Sequence, residues 1–191
     1  MLRVLVIDES ESRAGEICAG LALSGHQVAA LLPSCLDLAA RVEEIRPDII
    51  LIQTEAPSRD TLEHLAIAHD TLPRPVVMFA SKSDSDMIRK ALKAGVSAYI
   101  VDGLTPARLE PIMDVAIASF EEYQALRQEL DVATKKLADR VGVDKAKGIL
   151  MKARDLDEDA AYKALRKLAM DRGKPLVVVA GEVVEMAKLL L

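Results

Sequence analysis

Across residues 1–118 short apolar runs alternate with amphipathic stretches, and that alternation leaves few folds open. Leu2–Ile7, Gln27–Leu31, Asp48–Ile52, Pro75–Phe79 and Ala98–Val101 are the strand candidates. Between them Glu11–Leu23, Leu36–Glu44, Arg59–Ala68 and Asp84–Ala94 carry apolar residues at helical spacing, with Gly25 and Gly95 placed as helix stops. Strand and helix taking turns in this way predict an α/β domain over residues 1–120: a five-stranded, doubly wound parallel sheet. In open sheets of this kind the chemistry gathers at the carboxyl ends of the strands. Asp8 and Glu9, Gln53, Ala80 and Asp102 therefore become the residues to question.

From Pro106 the pattern changes to one long helix. Leu109, Ala116, Tyr123, Leu130 and Leu137 recur every seven residues, and Ile112, Ser119, Leu126 and Ala133 fill most of the matching positions between them. Neither Gly nor Pro interrupts residues 112–141. Such a stripe can be covered by the chain's own domain or by a second copy in a coiled coil. A packed terminal helix rarely needs this length, which favours a coiled-coil linker over residues 106–140. Its dimer seam would be Leu109, Ile112, Ala116, Tyr123, Leu126, Leu130 and Leu137.

Beyond the linker a small three-helix all-α domain is expected over residues 137–191. Val143–Ala153 forms the first helix, loosened near Val141 and Gly142. Asp157 is placed as the N-cap of the second, with Glu158 and Asp159 in its first turn. Ala161, Leu165, Leu168 and Ala169 share one face of that helix, Gly173 ends it and Pro175 can start a third. Leu176–Gly181 suits strand by its valines and helix by its spacing. A lone terminal strand would need a sheet edge, so a helix is expected.

Charge divides the chain along the same lines. Residues 1–120 carry 11 Lys and Arg against 17 Asp and Glu, a net −6, whereas residues 139–175 carry 10 against 7, a net +3. An acidic front and a basic tail suit a regulatory domain joined to one that binds a polyanion, although two ordinary solvated surfaces would look the same. Cys18 and Cys35 have neither CxxC spacing nor a His/Cys cluster nearby, so core thiols in a reducing cytoplasm are expected, with no zinc site or disulfide. No apolar run approaches the roughly 20 residues of a membrane span. His26, His64 and His69 are scattered and form no catalytic constellation, so neither an enzyme nor a cofactor is expected.

The front half offers little reactive chemistry. Asp8 and Glu9 could weakly hold a magnesium ion, or Asp8 or Ser10 could simply cap the helix that follows. Gln53 can exchange hydrogen bonds but is no nucleophile. The runs VLVIDE, PDIILIQ, PVVMFAS and GVSAYIVDGL resemble the receiver domain of bacterial response regulators over residues 1–120. That resemblance implies an acidic pair for magnesium, a phosphoacceptor aspartate, a switch hydroxyl and a lysine. Asp8 and Glu9 match the pair, but Gln53 stands at the phosphoacceptor position, Ala80 at the switch and Asp102 at the lysine. Gln53 cannot form an acyl phosphate, Ala80 has no hydroxyl to draw toward one, and Asp102 would repel its charge. The domain therefore reads as a pseudo-receiver that contacts proteins.

In the tail Arg140, Lys145, Lys147 and Lys152 can line one helix, while Arg166, Lys167, Arg172 and Lys174 gather near the end of the next. Tyr162 is the one aromatic residue there, either a stacking platform for a base or a core tyrosine on an alanine-rich face. Gly148 would let a helix or an RNA backbone approach closely. Arg140, the run AKGILM, Ala161-Tyr162, Leu165-Arg166, Ala169-Met170 and Val179-Ala180 resemble the ANTAR domain, named for AmiR and NasR. The resemblance implies a three-helix module that binds tandem hairpins in leader transcripts and prevents a terminator from forming. A dimer would bring two such modules together at high effective concentration. The stretches APSRDTLEHL, GVSAYIVDGL and PIMDVAIASFEEYQALRQEL resemble the NasT-type branch, which implies nitrate/nitrite assimilation genes and control by a NasS-like nitrate-sensing protein. The alternatives are a DNA-binding response regulator, or an ANTAR regulator of another nitrogen or amide pathway.

Overall fold

The computed structural model describes residues 1–101 and 106–190; Asp102 lies outside the described residues. Five strands, β1 (Arg3–Asp8), β2 (Gln27–Leu32), β3 (Ile49–Thr54), β4 (Val76–Ala80) and β5 (Ala98–Val101), alternate with α1 (Glu11–Leu23), α2 (Leu38–Ile45), α3 (Arg59–Thr71) and α4 (Ser85–Lys93). The strands pair in parallel in the order β2-β1-β3-β4-β5. This is the doubly wound sheet expected from the alternation. Three further helices follow: α5 (Pro106–Arg154), α6 (Glu158–Asp171) and α7 (Leu176–Leu190). No helix among the described residues is long and apolar enough to cross a membrane.

Period-two alternation distributes the strand side chains over both faces of the sheet. Leu5, Ile7, Ile50, Ile52 and Met78 meet Leu38 and Val42 of α2, Leu65 of α3 and Ala91 of α4. Val4, Val6, Leu51, Val77 and Phe79 point to the other side, against Ile17 and Leu21 of α1 and Leu109, Met113 and Ala116 of α5. Because β1, β3 and β4 are covered on both faces, their sequences read as nearly unbroken apolar runs. Gly95 closes α4 at φ +98°, and a Cβ there would lie 2.4 Å from Cγ of His69, so only glycine fits.

Four strands end later than their sequence suggests: β2 at Leu32 and β4 at Ala80, while β1 includes Asp8 and β3 carries on through Gln53 and Thr54, which places these polar side chains inside the sheet's hydrogen-bonded edge. Near Val141 and Gly142, where a loosened helix is expected, α5 runs unbroken through both. A helix-interior glycine costs only about 1 kcal/mol relative to alanine. The turns beyond Gly142 offset that cost, since Val143, Ala146 and Leu150 pack with Leu165 and Ala169 of α6 and Val179 and Ala180 of α7.

The chain divides into two compact units, Met1–Gln124 and Ala125–Leu191. In the second, Asp157 caps α6 as expected, its Oδ1 accepting from the amide of Ala160 at 2.7 Å. Gly173, at φ +61°, closes the same helix while the amide of Lys174 bonds back to the carbonyl of Ala169. Leu176–Gly181 is helical, as the absence of a sheet edge in this unit requires.

Candidate functional site

At the carboxyl edge of the sheet Asp8 and Gln53 sit opposite one another in register, and Thr54 is opposite Ala80. Asp8 is buried, and its carboxylate is already engaged. Oδ1 accepts from the amide of Ser10 at 2.8 Å and from the guanidinium of Arg13 at 3.0 Å, with a longer 3.5 Å contact from Arg13 Nε to Oδ2. Arg13 is pushed above its ordinary basicity by that hydrogen bond first, with the charges of Asp8, Glu55 and Glu9 adding to it. One half-exposed guanidinium thus serves as counter-ion for the buried Asp8.

Magnesium coordination would need carboxylate oxygens turned toward the ion, and Oδ1 of Asp8 here faces Arg13 and the amide of Ser10. Glu9 is exposed, and the described residues contain no group of three His, Cys, Asp or Glu side chains able to hold a metal. Asp8 also settles the capping question indirectly: Ser10 occupies the N-cap of α1 without a side-chain cap bond, while Asp8 holds its amide. Gln53 is partly buried, its Oε1 has no hydrogen-bond partner among the described residues, and Ala80 is buried. Neither offers a group that could carry a phosphoryl. Cys35 is buried and its thiol is pushed up to about 12 by that burial, so it is chemically quiet; Cys18 is half-buried and free.

The heptad stripe of α5 divides into two stretches. Leu109 and Ala116, expected in a dimer seam, are instead buried in the core of the first unit, and Ile112 packs partly against that core. They are already covered by the chain's own sheet and cannot face a partner. Tyr123 lies with its ring 6.3 Å from that of His69, yet stays exposed. Leu126, Leu130 and Leu137 are 58%, 65% and 64% exposed, so the uncovered part of the stripe begins near Tyr123.

The cations of the tail also fall into two groups. Lys147 is the most enclosed: its Nζ lies 2.8 Å from Asp144 and 2.8 Å from Glu158, hydrogen bonds that raise its basicity to about 12, and the Lys147 bond in turn holds Asp144 below its ordinary range. Arg172 and Lys174 both bind Glu182, at 2.6 Å for Arg172, clamping the α6–α7 turn. Glu182 is lowered, first by the Lys174 hydrogen bond. By contrast Arg140, Lys145, Lys152, Arg166 and Lys167 are exposed and have no ion-pair partner among the described residues. Their charge is available to a polyanion, whereas that of the first three is largely answered within the fold.

Tyr162 is 42% exposed on α6, one turn from Arg166, so its ring belongs to the surface and not to the core. Gly148 lies within α5 with nothing within 4 Å of the place a Cβ would take. Sequence reasoning missed Arg13, Glu182 and Lys188. The first sits five residues beyond its carboxylate and the second pairs across a helix turn, so neither follows a spacing rule; Lys188 pairs with Glu185 on α7, away from the cations counted in the tail.

Comparison with known proteins agrees with this geometry. Residues 131–184 match the ANTAR domain. The transcriptional regulatory protein PdtaR of Mycobacterium tuberculosis H37Rv is 26% identical over 183 residues, covering 96% of this chain and 89% of that protein. Among solved structures, the signal receiver domain of a modulated diguanylate cyclase from Desulfovibrio desulfuricans G20 is similar to 64% of this chain, with a TM-score of 0.56 and 18% identity, 98% of that domain being covered. A CheY-like receiver domain protein from Methanospirillum hungatei JF-1 covers 63%, with a TM-score of 0.55, 20% identity and 97% of its own length. These likenesses show a receiver fold in the first unit and an ANTAR match over residues 131–184.

Proposed function

From an ANTAR domain carried behind a receiver fold, we propose that this chain is an RNA-binding transcription antiterminator of the bacterial cytoplasm. The ANTAR match over residues 131–184 carries the reading. Arg140, Lys145, Lys152, Arg166 and Lys167 are the exposed cations that meet phosphates, and Tyr162 supplies a face on which an unpaired base stacks. Lys147, Arg172 and Lys174 hold the module in shape and contribute to the interface second, since each must leave a carboxylate to bind RNA. The ligand is a pair of hairpins in a leader transcript, ahead of a terminator.

Two tails bind two hairpins most simply as a dimer. Leu126, Leu130 and Leu137, left uncovered on α5, are the seam, shorter than the stripe that begins at Leu109. Control comes from a protein partner in place of phosphorylation, because Gln53 and Ala80 lack the groups a phosphoryl switch requires and Arg13 neutralises Asp8. A NasS-like nitrate sensor and nitrate assimilation genes fit that mode of control. A leader with two hairpins and a periplasmic-binding-type sensor beside this gene would support the nitrate assignment.

The test is binding of the full chain to a two-hairpin RNA and to duplex DNA of equal length at one salt concentration. Tighter binding to RNA is expected. Tighter binding to DNA would replace the antiterminator with a DNA-binding response regulator.

A further inference from the structure

Gly148 borders two hollows in the tail, one on each side of α5, and their linings differ in charge. The hollow of about 310 Å³ toward α6 contains Arg140 and Lys147, but also Asp144 and Glu158. Both carboxylates would repel a phosphate, and Lys147 is already committed to them. The hollow of about 390 Å³ between α5 and α7 has three lysines in its lining, Lys145, Lys152 and Lys188, and no carboxylate among the described residues. Its floor is apolar, made by Ile149, Val184 and Ala187. That volume lies within the roughly 300–1,000 Å³ typical of small-ligand sites.

We infer that this α5–α7 groove receives one unpaired nucleotide of the bound RNA, the base lying on Ile149, Val184 and Ala187 and the flanking phosphates meeting Lys145, Lys152 and Lys188. The assignment rests on the RNA-binding reading above and adds residues of α7 that the sequence did not single out. Lys145 and Lys152 are two turns apart, about 10 Å along the helix axis, so a strand threading the groove meets a cation on each side of the base. Lys188 pairs with Glu185 at 2.7 Å, but both side chains are about two-thirds exposed, and such a pair yields readily to a phosphate. Gly148 keeps the groove open: its backbone is bare, and a side chain there would project into the space the nucleotide needs.

The chemistry of the lining also limits what the groove can do. Lysine is a point charge without the fork that reads a base edge, and an apolar floor accepts the face of any base. The groove therefore adds affinity without sequence preference, leaving discrimination to Tyr162 and Arg166 on α6.

The experiment uses the full chain and a two-hairpin RNA with randomised loops, selected on the unaltered protein and then carrying 4-thiouridine for cross-linking. Cross-links are expected on peptides containing residues 145–152 and 183–188. Lys152→Gln and Lys188→Gln should each reduce the slope of log affinity against log salt by about 0.7, alike for every selected loop. Ala187→Gln, which keeps the helix but fills the groove, should weaken binding about tenfold, with far-UV circular dichroism unchanged. If Ala187→Gln and Lys188→Gln bind as the unaltered chain does while Arg166→Ala binds more weakly, the groove is excluded and RNA binding stands. If the unaltered chain selects no RNA at all, the functional reading itself fails and takes the groove with it.

Discussion

At the carboxyl edge of the sheet Asp8 is buried with its oxygens held by Arg13 and the amide of Ser10, whereas in the tail Lys145, Lys152 and Arg166 stand in solvent without an ion-pair partner among the described residues. One region answers its charge from within; the other leaves it for a ligand. In the first unit the buried carboxylate is already paired, and Gln53 and Ala80 bring no group that takes up a phosphoryl. The tail is unfinished in the electrostatic sense, which is what a polyanion-binding module requires. The same division runs along α5, where Leu109, Met113 and Ala116 complete a core and Leu126, Leu130 and Leu137 do not.

The sharpest way to break this comparison is phosphorylation. Acetyl phosphate is expected to leave the chain unmodified, and a hydroxylamine-sensitive adduct on any carboxylate of the first unit would show that its edge is not silent. A second test sets the two stretches of α5 against each other. Leu109→Ala should lower the stability of the first unit by about 2–5 kcal/mol in urea unfolding, as loss of a buried leucine does. Leu130→Ala should cost the monomer little, yet shift sedimentation equilibrium away from a dimer. Equal unfolding effects at the two sites would contradict the assignment of the stripe.

The smallest effect concerns the clamp on the α6–α7 turn. Glu182 is held below its ordinary value of 4.5, chiefly by the Lys174 hydrogen bond, so the folded chain binds that proton more weakly than the unfolded one. Its contribution is therefore complete above pH 4.5 and disappears as the pH falls through the lowered value. Glu182→Gln should melt slightly earlier than the unaltered chain at pH 7, and the gap should narrow as the pH falls below 4.5. A gap that does not change with pH would mean that the carboxylate's charge contributes nothing to the clamp.

Much of the fold was legible because it is written in local periodicity. Alternating runs gave away the parallel sheet, and Asp157 and Gly173 marked the ends of α6 through capping chemistry that needs only neighbouring residues. Periodicity could not say who covers a stripe. Leu109 and Leu130 occupy equivalent heptad positions, and only the tertiary fold shows that the sheet takes the first. Gly142 misled for a related reason, since the cost of one glycine is local while the packing that offsets it comes from α6 and α7. The site was half legible. Counting cations found the basic tail, but Glu158 and Glu182 reach theirs across 11 and eight residues or more, and those pairings decide which charges remain available.

The central claim is that the tail acts on RNA and that the front half does not report phosphate. Single-round transcription through a leader with two hairpins ahead of a terminator tests both at once, with the full chain added in the presence and absence of acetyl phosphate. Read-through should rise with protein concentration and be the same in both conditions. No rise, or a rise that requires acetyl phosphate, would contradict the account.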